Sequence, residues 1–248
     1  MIRRWQFWVA FSLAIFAVDL GLWVRWVVRE LPDPTPLREP AWVQQHFGLE
    51  AWTPLSAVPP LALRVILISE DDTFFHNSGL RLDEIGAAAW DDLLAGRYKR
   101  GASSITQQVV RNAFLSKDKT LSRKLREMLL ARRADELVGK RRLLEAYLNL
   151  AQWGPKERGI GWASRRYFGK PVEALNAVEG AYLAWLLPDP IHRSIAARRG
   201  ELTPQARRHI KILIGRLARE GSLSDDEEAA LLAQPWSLGG LAQAPLKP

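Results

Sequence analysis

"TLSRKLREMLLARRADELVG", residues 120–139, decides the fold class. Leu121, Leu125, Met128 and Leu129 recur at three- and four-residue steps, the spacing of one helix face, and Arg132 alone breaks the stripe. Arg123, Lys124 and Glu127 fall together on the face opposite these leucines. The same period continues outward. "LDEIGAAAWDDLLAG" (82–96), "KRRLLEAYLNLAQWG" (140–154), "VEALNAVEGAYLAWLLP" (172–188) and "TPQARRHIKILIGRLAREG" (203–221) all read as helices. Few stretches alternate with the period of a strand. The expectation is a mostly α domain over residues 41–235, followed by a flexible tail over 236–248.

The N-terminus reads differently. "WQFWVAFSLAIFAVDLGLWV", residues 5–24, is almost wholly apolar, with Asp19 its single charge. Twenty helical residues span about 30 Å, the thickness of a bilayer core. Trp5, Trp8, Trp23 and Trp26 sit near its ends, where indoles favour the membrane interface. Arg3 and Arg4 precede it, which favours a cytoplasmic start and a domain on the outer, periplasmic side. A cleaved signal peptide is the rival, but the span is long for one and no small-x-small site follows. Residues 1–30 are therefore expected to form a single-pass anchor in the cytoplasmic (inner) membrane. "LPDPTPLREP", 31–40, with four prolines, is expected to be a stiff extended linker.

Composition narrows the chemistry. The 248 residues carry a formal charge of +8 and no cysteine, which removes disulfides and thiolate metal sites. The four histidines are scattered, with no metal-ligand spacing. Residues 97–142 hold fourteen Lys or Arg against four acids, a net of +10, so the basicity of the chain belongs to this one segment. A solvated helix face with pairs such as Arg123–Glu127 accounts for such a run, and so does a cradle for an anion.

Two stretches flank that choice. "GASSITQQVVRN", 101–112, combines small, hydroxyl and amide side chains with Arg111, suited either to starting a helix or to holding an oxygen-rich ligand. "ILISEDDTFFHNSGL", 66–80, places Glu70 at the end of an apolar run. Partial desolvation there raises a carboxyl pKa and makes it a usable base. Glu70 and Glu127 around a cation cluster suit glycosyl transfer, in which a hydroxyl must lose a proton and a charged leaving group must be met.

"SEDDTFFHNSG" (69–79), "RGASSITQQVVRNAFLS" (100–116), "RKLREMLLARRADEL" (123–137) and "LLEAYLNLAQWG…GIGWASRRYFGK" (143–170) occur in this order. They resemble the successive motifs of the peptidoglycan glycosyltransferases, the polymerase domain of class A penicillin-binding proteins, over roughly residues 55–195. The single anchor and the "LNLAQWG" form resemble the monofunctional enzymes most, and no transpeptidase serine motif is present. The resemblance implies a lysozyme-like α fold with a smaller membrane-associated lobe, and polymerisation of lipid II into β-1,4 glycan with inversion. It implies that Glu70 is the base acting on the acceptor GlcNAc 4-hydroxyl, and that Glu127 works in the donor site near the pyrophosphate. Gln107, Gln108, Arg111, Lys119, Arg123 and Lys124 match positions lining the donor sugar and pyrophosphate. Asp71, Phe75, Asn77, Ser103 and Thr106 fall inside the same motifs and are taken as substrate-binding. No cofactor is implied. Some members are stimulated by divalent cations, yet no dedicated ligand set is visible. Lipid II, the nascent strand, membrane lipids and other wall-building proteins are the implied partners, and nucleic acid is not among them.

The chain also departs from the family. Asn77 stands where a histidine is usual, with His76 one step earlier. Ser104 replaces threonine, Arg111 and Lys119 exchange basic types, and "QWG" with "PKERG" replaces a more acidic stretch. Asn77 is the feature that would suit a non-catalytic scaffold. A lytic transglycosylase is the hydrolytic alternative, but a neutral glycan does not need the +10 segment.

Overall fold

The computed structural model describes residues 4–81, 103–116, 118 and 120–238. The expected helix over 82–96 and the site candidate Lys119 lie outside these residues. Eleven α-helices and three short 3-10 turns make up the described structure, and no strand occurs among the described residues beyond one isolated bridge, Gln152 to Arg158.

The first helix, α1 (Arg4–Arg29), is exposed along nearly its whole length, with only Val27 buried. It is long and apolar enough to cross a membrane. A core helix of that composition would be buried; here Trp8, Leu13 and Phe16 are each about 60% exposed or more. The segment expected to be extended instead turns. Thr35–Arg38 forms a 3-10 turn, Leu37 is fully buried, and Arg38 donates to the Leu137 carbonyl. Leu37, with Leu31 packed against the core and Pro34 buried, ties the linker to the domain.

Two helices form the centre. Short α2 (Pro40–His46) leads through the loop to α3 (Pro60–Glu70), which starts on Pro60 at N1 and buries Ala62, Val65, Ile66, Leu67 and Ile68. It packs against α8 (Ala177–Leu186), which is buried almost all round. Gly180 makes that contact close: a Cβ there would lie 2.7 Å from the Ala62 Cα and 2.8 Å from its carbonyl oxygen. Gly180→Ala must separate α3 from α8, so it is expected to destabilise by about 1–3 kcal/mol. Chemical denaturation read by far-UV circular dichroism checks this, and an unchanged midpoint would refute the close contact.

A second group packs alongside. It consists of α4 (Ile105–Phe114), α5 (Leu121–Val138) and α6 (Lys140–Leu150), with α4 against both others. Ser104 caps α4 in a reciprocal box with Gln107. Thr120 caps α5, and the chain turns at Gly139 directly into α6. The remainder, α7 (Ile160–Phe168), α9 (Pro190–Arg198), α10 (Pro204–Arg219) and α11 (Asp225–Ala233), closes the domain, with α10 laid across α3 and α8.

Helix positions differ from expectation in three places. Residues 172–174 are a separate 3-10 turn, because Asn176 forms a capping box with Glu179 and restarts the chain as α8. The helix expected over 140–154 ends at Leu150. The leucine stripe of α5 is not its buried face: Leu121 is 78% exposed, whereas Glu127, Leu130, Ala131 and Ala134 are buried. The face carrying Glu127 is the one turned inward. Three described residues fall in the expected tail, and two of them pack: Trp236 donates to the Leu231 carbonyl at 2.9 Å, and Leu238 is buried.

Candidate active site

Glu70 ends α3, where the apolar run gives way to the loop. Its Oε2 accepts two hydrogen bonds, from Gln108 Nε2 at 3.1 Å and from the Tyr147 hydroxyl at 3.1 Å. No hydrogen bond reaches Oε1 from the described residues. One oxygen is thus held while the other stays available for a proton. Burial pushes the carboxyl pKa up; the Gln108 and Tyr147 hydrogen bonds and the Arg193 charge pull against it, and neighbouring Asp71 adds to the rise. Burial, with the Glu70 charge behind it, also pushes the Tyr147 phenol well above its ordinary value. The phenol therefore keeps its proton and acts as a permanent donor.

Glu127 is fully buried on α5. Arg123 Nη1 donates to its Oε2 at 2.6 Å and Lys124 Nζ to its Oε1 at 2.5 Å. The two cation side chains retain 17% and 34% exposure. One buried carboxylate thus orients two cations and neutralises only one of them. The cluster keeps a net positive charge at a partly exposed position, an arrangement suited to meeting an anion.

The other expected site residues divide sharply. Gln108 and Arg111, three residues apart on α4, share the side facing Glu70 and Tyr147. Phe75 is 49% exposed and stands edge-on to buried Phe74. Ser103 is partly exposed. Asp71, Thr106 and Gln107 are buried, at 1%, 0% and 1% exposure. Asp71 accepts from Asn77 Nδ2, from Thr73 Oγ1 and from the Ile105 amide, so its oxygens are occupied internally. Gln107 spends its oxygen on the Ser104 amide. Asn77 uses both ends of its amide inside the protein. These four shape the site from behind. "SSITQQ" therefore contains both of the roles weighed for it: a helix start in Ser104 and Gln107, and a site side chain in Gln108.

The sequence profile of the transglycosylase family matches residues 42–217, which include Glu70, Gln108, Glu127 and Tyr147. The chain belongs to the transglycosylase family. Among similar proteins, the biosynthetic peptidoglycan transglycosylase of Rhodospirillum centenum is 39% identical over 180 residues, 72% of this chain and 76% of that one. The protein of the same name from Mesorhizobium japonicum is 39% identical over 172 residues, 69% of this chain and 71% of that one. The chain is thus a glycosyltransferase of peptidoglycan synthesis.

Within the transglycosylase domain, Tyr147 is the residue that sequence reasoning missed. It lies in the "LLEAYLNL" motif, but its period places it among buried Leu143, Leu144, Leu148 and Leu150, and nothing local marks its hydroxyl as functional. Tyr147→Phe removes one donor that holds the Glu70 pKa down. If Glu70 is the base, the acid limb of kcat/KM is expected to move to higher pH, because a base must be ionised to act. A pH–rate profile unchanged from wild type would remove Tyr147 from the base's environment.

Proposed function

We propose that this chain polymerises lipid II, transferring the growing glycan from its undecaprenyl pyrophosphate carrier to the GlcNAc 4-hydroxyl of an incoming lipid II. The observation that carries this reading is the pairing of two unlike glutamates. Glu70 has one hydrogen-bonded and one available oxygen, and Glu127 is committed to orienting cations. In this reading Glu70 Oε1 takes the proton from the 4-hydroxyl as O4 attacks C1 of the donor MurNAc. The C1–O bond to the pyrophosphate breaks on the opposite face, so an α-linked donor becomes a β-1,4 link. Arg123 and Lys124 meet the charge that grows on the leaving pyrophosphate. The Arg111 charge acts on Tyr147, which holds Glu70, and exposed Phe75 five residues after the base adds an apolar face.

The hydrolytic alternative has no use for a cation pair preset on a buried carboxylate. The scaffold reading rested on Asn77, and Asn77 keeps its hydrogen bonds to Asp71 and to the site's frame. The deciding experiment is lipid II polymerisation by the purified, detergent-solubilised chain. Lysozyme-sensitive glycan strands are expected, and lipid II binding without strands would favour the scaffold.

The same reading puts α1 across the cytoplasmic membrane with the domain on its outer side. Because the chain lacks cysteine, one introduced at exposed Gln205 reports its own side. Gln205→Cys is expected to react with a membrane-impermeant maleimide in intact spheroplasts. Labelling only after lysis would reverse the orientation.

A further inference from the structure

Lys140 belongs to the basic run and reads in sequence as one more solvated cation. Its surroundings say otherwise. The side chain is only 18% exposed. Its Nζ lies 2.7 Å from Asp135 Oδ1, donates to Asn77 Oδ1 at 2.9 Å, and stands 4.7 Å above the centre of the Phe74 ring. An ammonium is a donor and a cation: here it hydrogen-bonds one amide oxygen and lies within charge reach of a carboxylate and an aromatic face.

These partners come from different parts of the site. Asp135 is on α5, eight residues and about 12 Å along the helix from Glu127. Asn77 and Phe74 belong to the loop that leaves Glu70. The Asn77 amide has only one workable orientation. Its Nδ2 donates to Asp71 at 3.0 and 3.2 Å, while its oxygen faces Lys140 and the Gly79 amide. Flipped, it would set an NH2 against the ammonium and an oxygen against the carboxylate. Asp71 in turn accepts the Ile105 amide at 3.0 Å, in the first turn of α4, the helix whose Gln108 holds Glu70. The loop also lies directly on α5: a Cβ on Gly79 would come within 2.7 Å of the Ala131 carbonyl oxygen and 3.2 Å of the Asp135 Cβ.

A continuous line of contacts therefore runs from Glu70 and Asp71 through Asn77 and Lys140 to the helix of Glu127. We propose that Lys140 is a positioning residue that sets the base-bearing segment against the donor-site helix, with Asn77 as its relay. It touches no reacting atom. Its effect follows from geometry, since a displacement near 1 Å at a reacting centre costs on the order of a hundredfold in rate. The inference rests on the lipid II reading for its kinetic consequence only.

The test compares full-length Lys140→Met with Lys170→Met. Lys170 forms an ion pair of like length, 2.7 Å to Glu179, between elements that carry neither glutamate. Lys140→Met is expected to lose roughly ten- to a hundredfold in kcat at saturating lipid II, with KM nearly unchanged. Lys170→Met should keep kcat even where thermal stability falls as far. Asp135→Asn, which leaves the Asn77 bond in place, should move kcat the same way and decides the matter if Lys140→Met does not fold. Hydrogen–deuterium exchange gives a readout independent of substrate. Peptides covering 69–79 and 123–131 should both exchange faster in Lys140→Met and not in Lys170→Met. Wild-type kcat in both Lys140→Met and Asp135→Asn, equal kcat losses in Lys140→Met and Lys170→Met, or unchanged exchange in the two peptides would overturn the proposal. A wild type that makes no glycan would count against the lipid II reading alone, because the exchange result still stands.

Discussion

Glu70→Gln is expected to lower the rate of glycan synthesis by about 10²–10⁴-fold, the usual contribution of a positioned general base. Glutamine keeps an oxygen where Gln108 and Tyr147 donate, so the local frame persists while the proton acceptor is lost. The residual rate should no longer fall on the acid side, because the titrating group is gone. Stability should move the other way. The folded-state pKa of Glu70 is raised, so its contribution to stability is present below the ordinary glutamate pKa, about 4.3, and is lost as pH rises through the folded value. At neutral pH the partly buried carboxylate therefore opposes folding, and the neutral amide of the variant does not. Glu70→Gln should melt higher than wild type at pH 7, by about 2–4 °C for each kcal/mol relieved, with the gap closing near pH 4. Polymerisation and melting are measured on the same preparations. Full turnover by Glu70→Gln would dismiss Glu70 as the base, and a lower melting point at pH 7 would contradict its desolvation.

Glu127→Gln is expected to cost about 10²–10³-fold in kcat, the size found when one preorganised charge-stabilising group is removed. The mechanism is separate from that of Glu70. Arg123 and Lys124 are held by the two oxygens of one buried carboxylate, and an amide offers a single neutral acceptor in its place. The cations keep their charge but lose their fixed directions, so in the proposed reaction they would have to reorganise as the leaving group departs. Because both are partly exposed, water takes up much of the lost pairing, and the stability cost should be well below that of breaking a fully buried pair. Two signatures separate this variant from Glu70→Gln. It should retain the acid limb of the Glu70 ionisation, and its loss should lie in kcat more than in KM. Near-wild-type turnover would take Glu127 out of the site.

The helical class, the long apolar N-terminal helix, the concentration of positive charge and the clustering of Arg123 and Lys124 with Glu127 were legible in the sequence. Each of these is written in local order: a 3.6-residue period, an unbroken apolar run, or an i,i+3 and i,i+4 spacing that a single helix converts into contact. Tertiary structure decided the rest. Period alone did not say which face of α5 points inward, because the buried face carries Glu127 and the exposed one carries Leu121. Motif membership did not separate Gln108, which reaches Glu70, from Asp71, Thr106 and Gln107, which are buried behind it. Nor did it single out Tyr147, 77 residues from Glu70, or Lys140, 63 residues from Asn77. Those contacts exist only because α3, α4, α5 and α6 pack into one site. What a polar side chain does in a core is set by the partner that packing places beside it, and no local pattern carries that partner's identity.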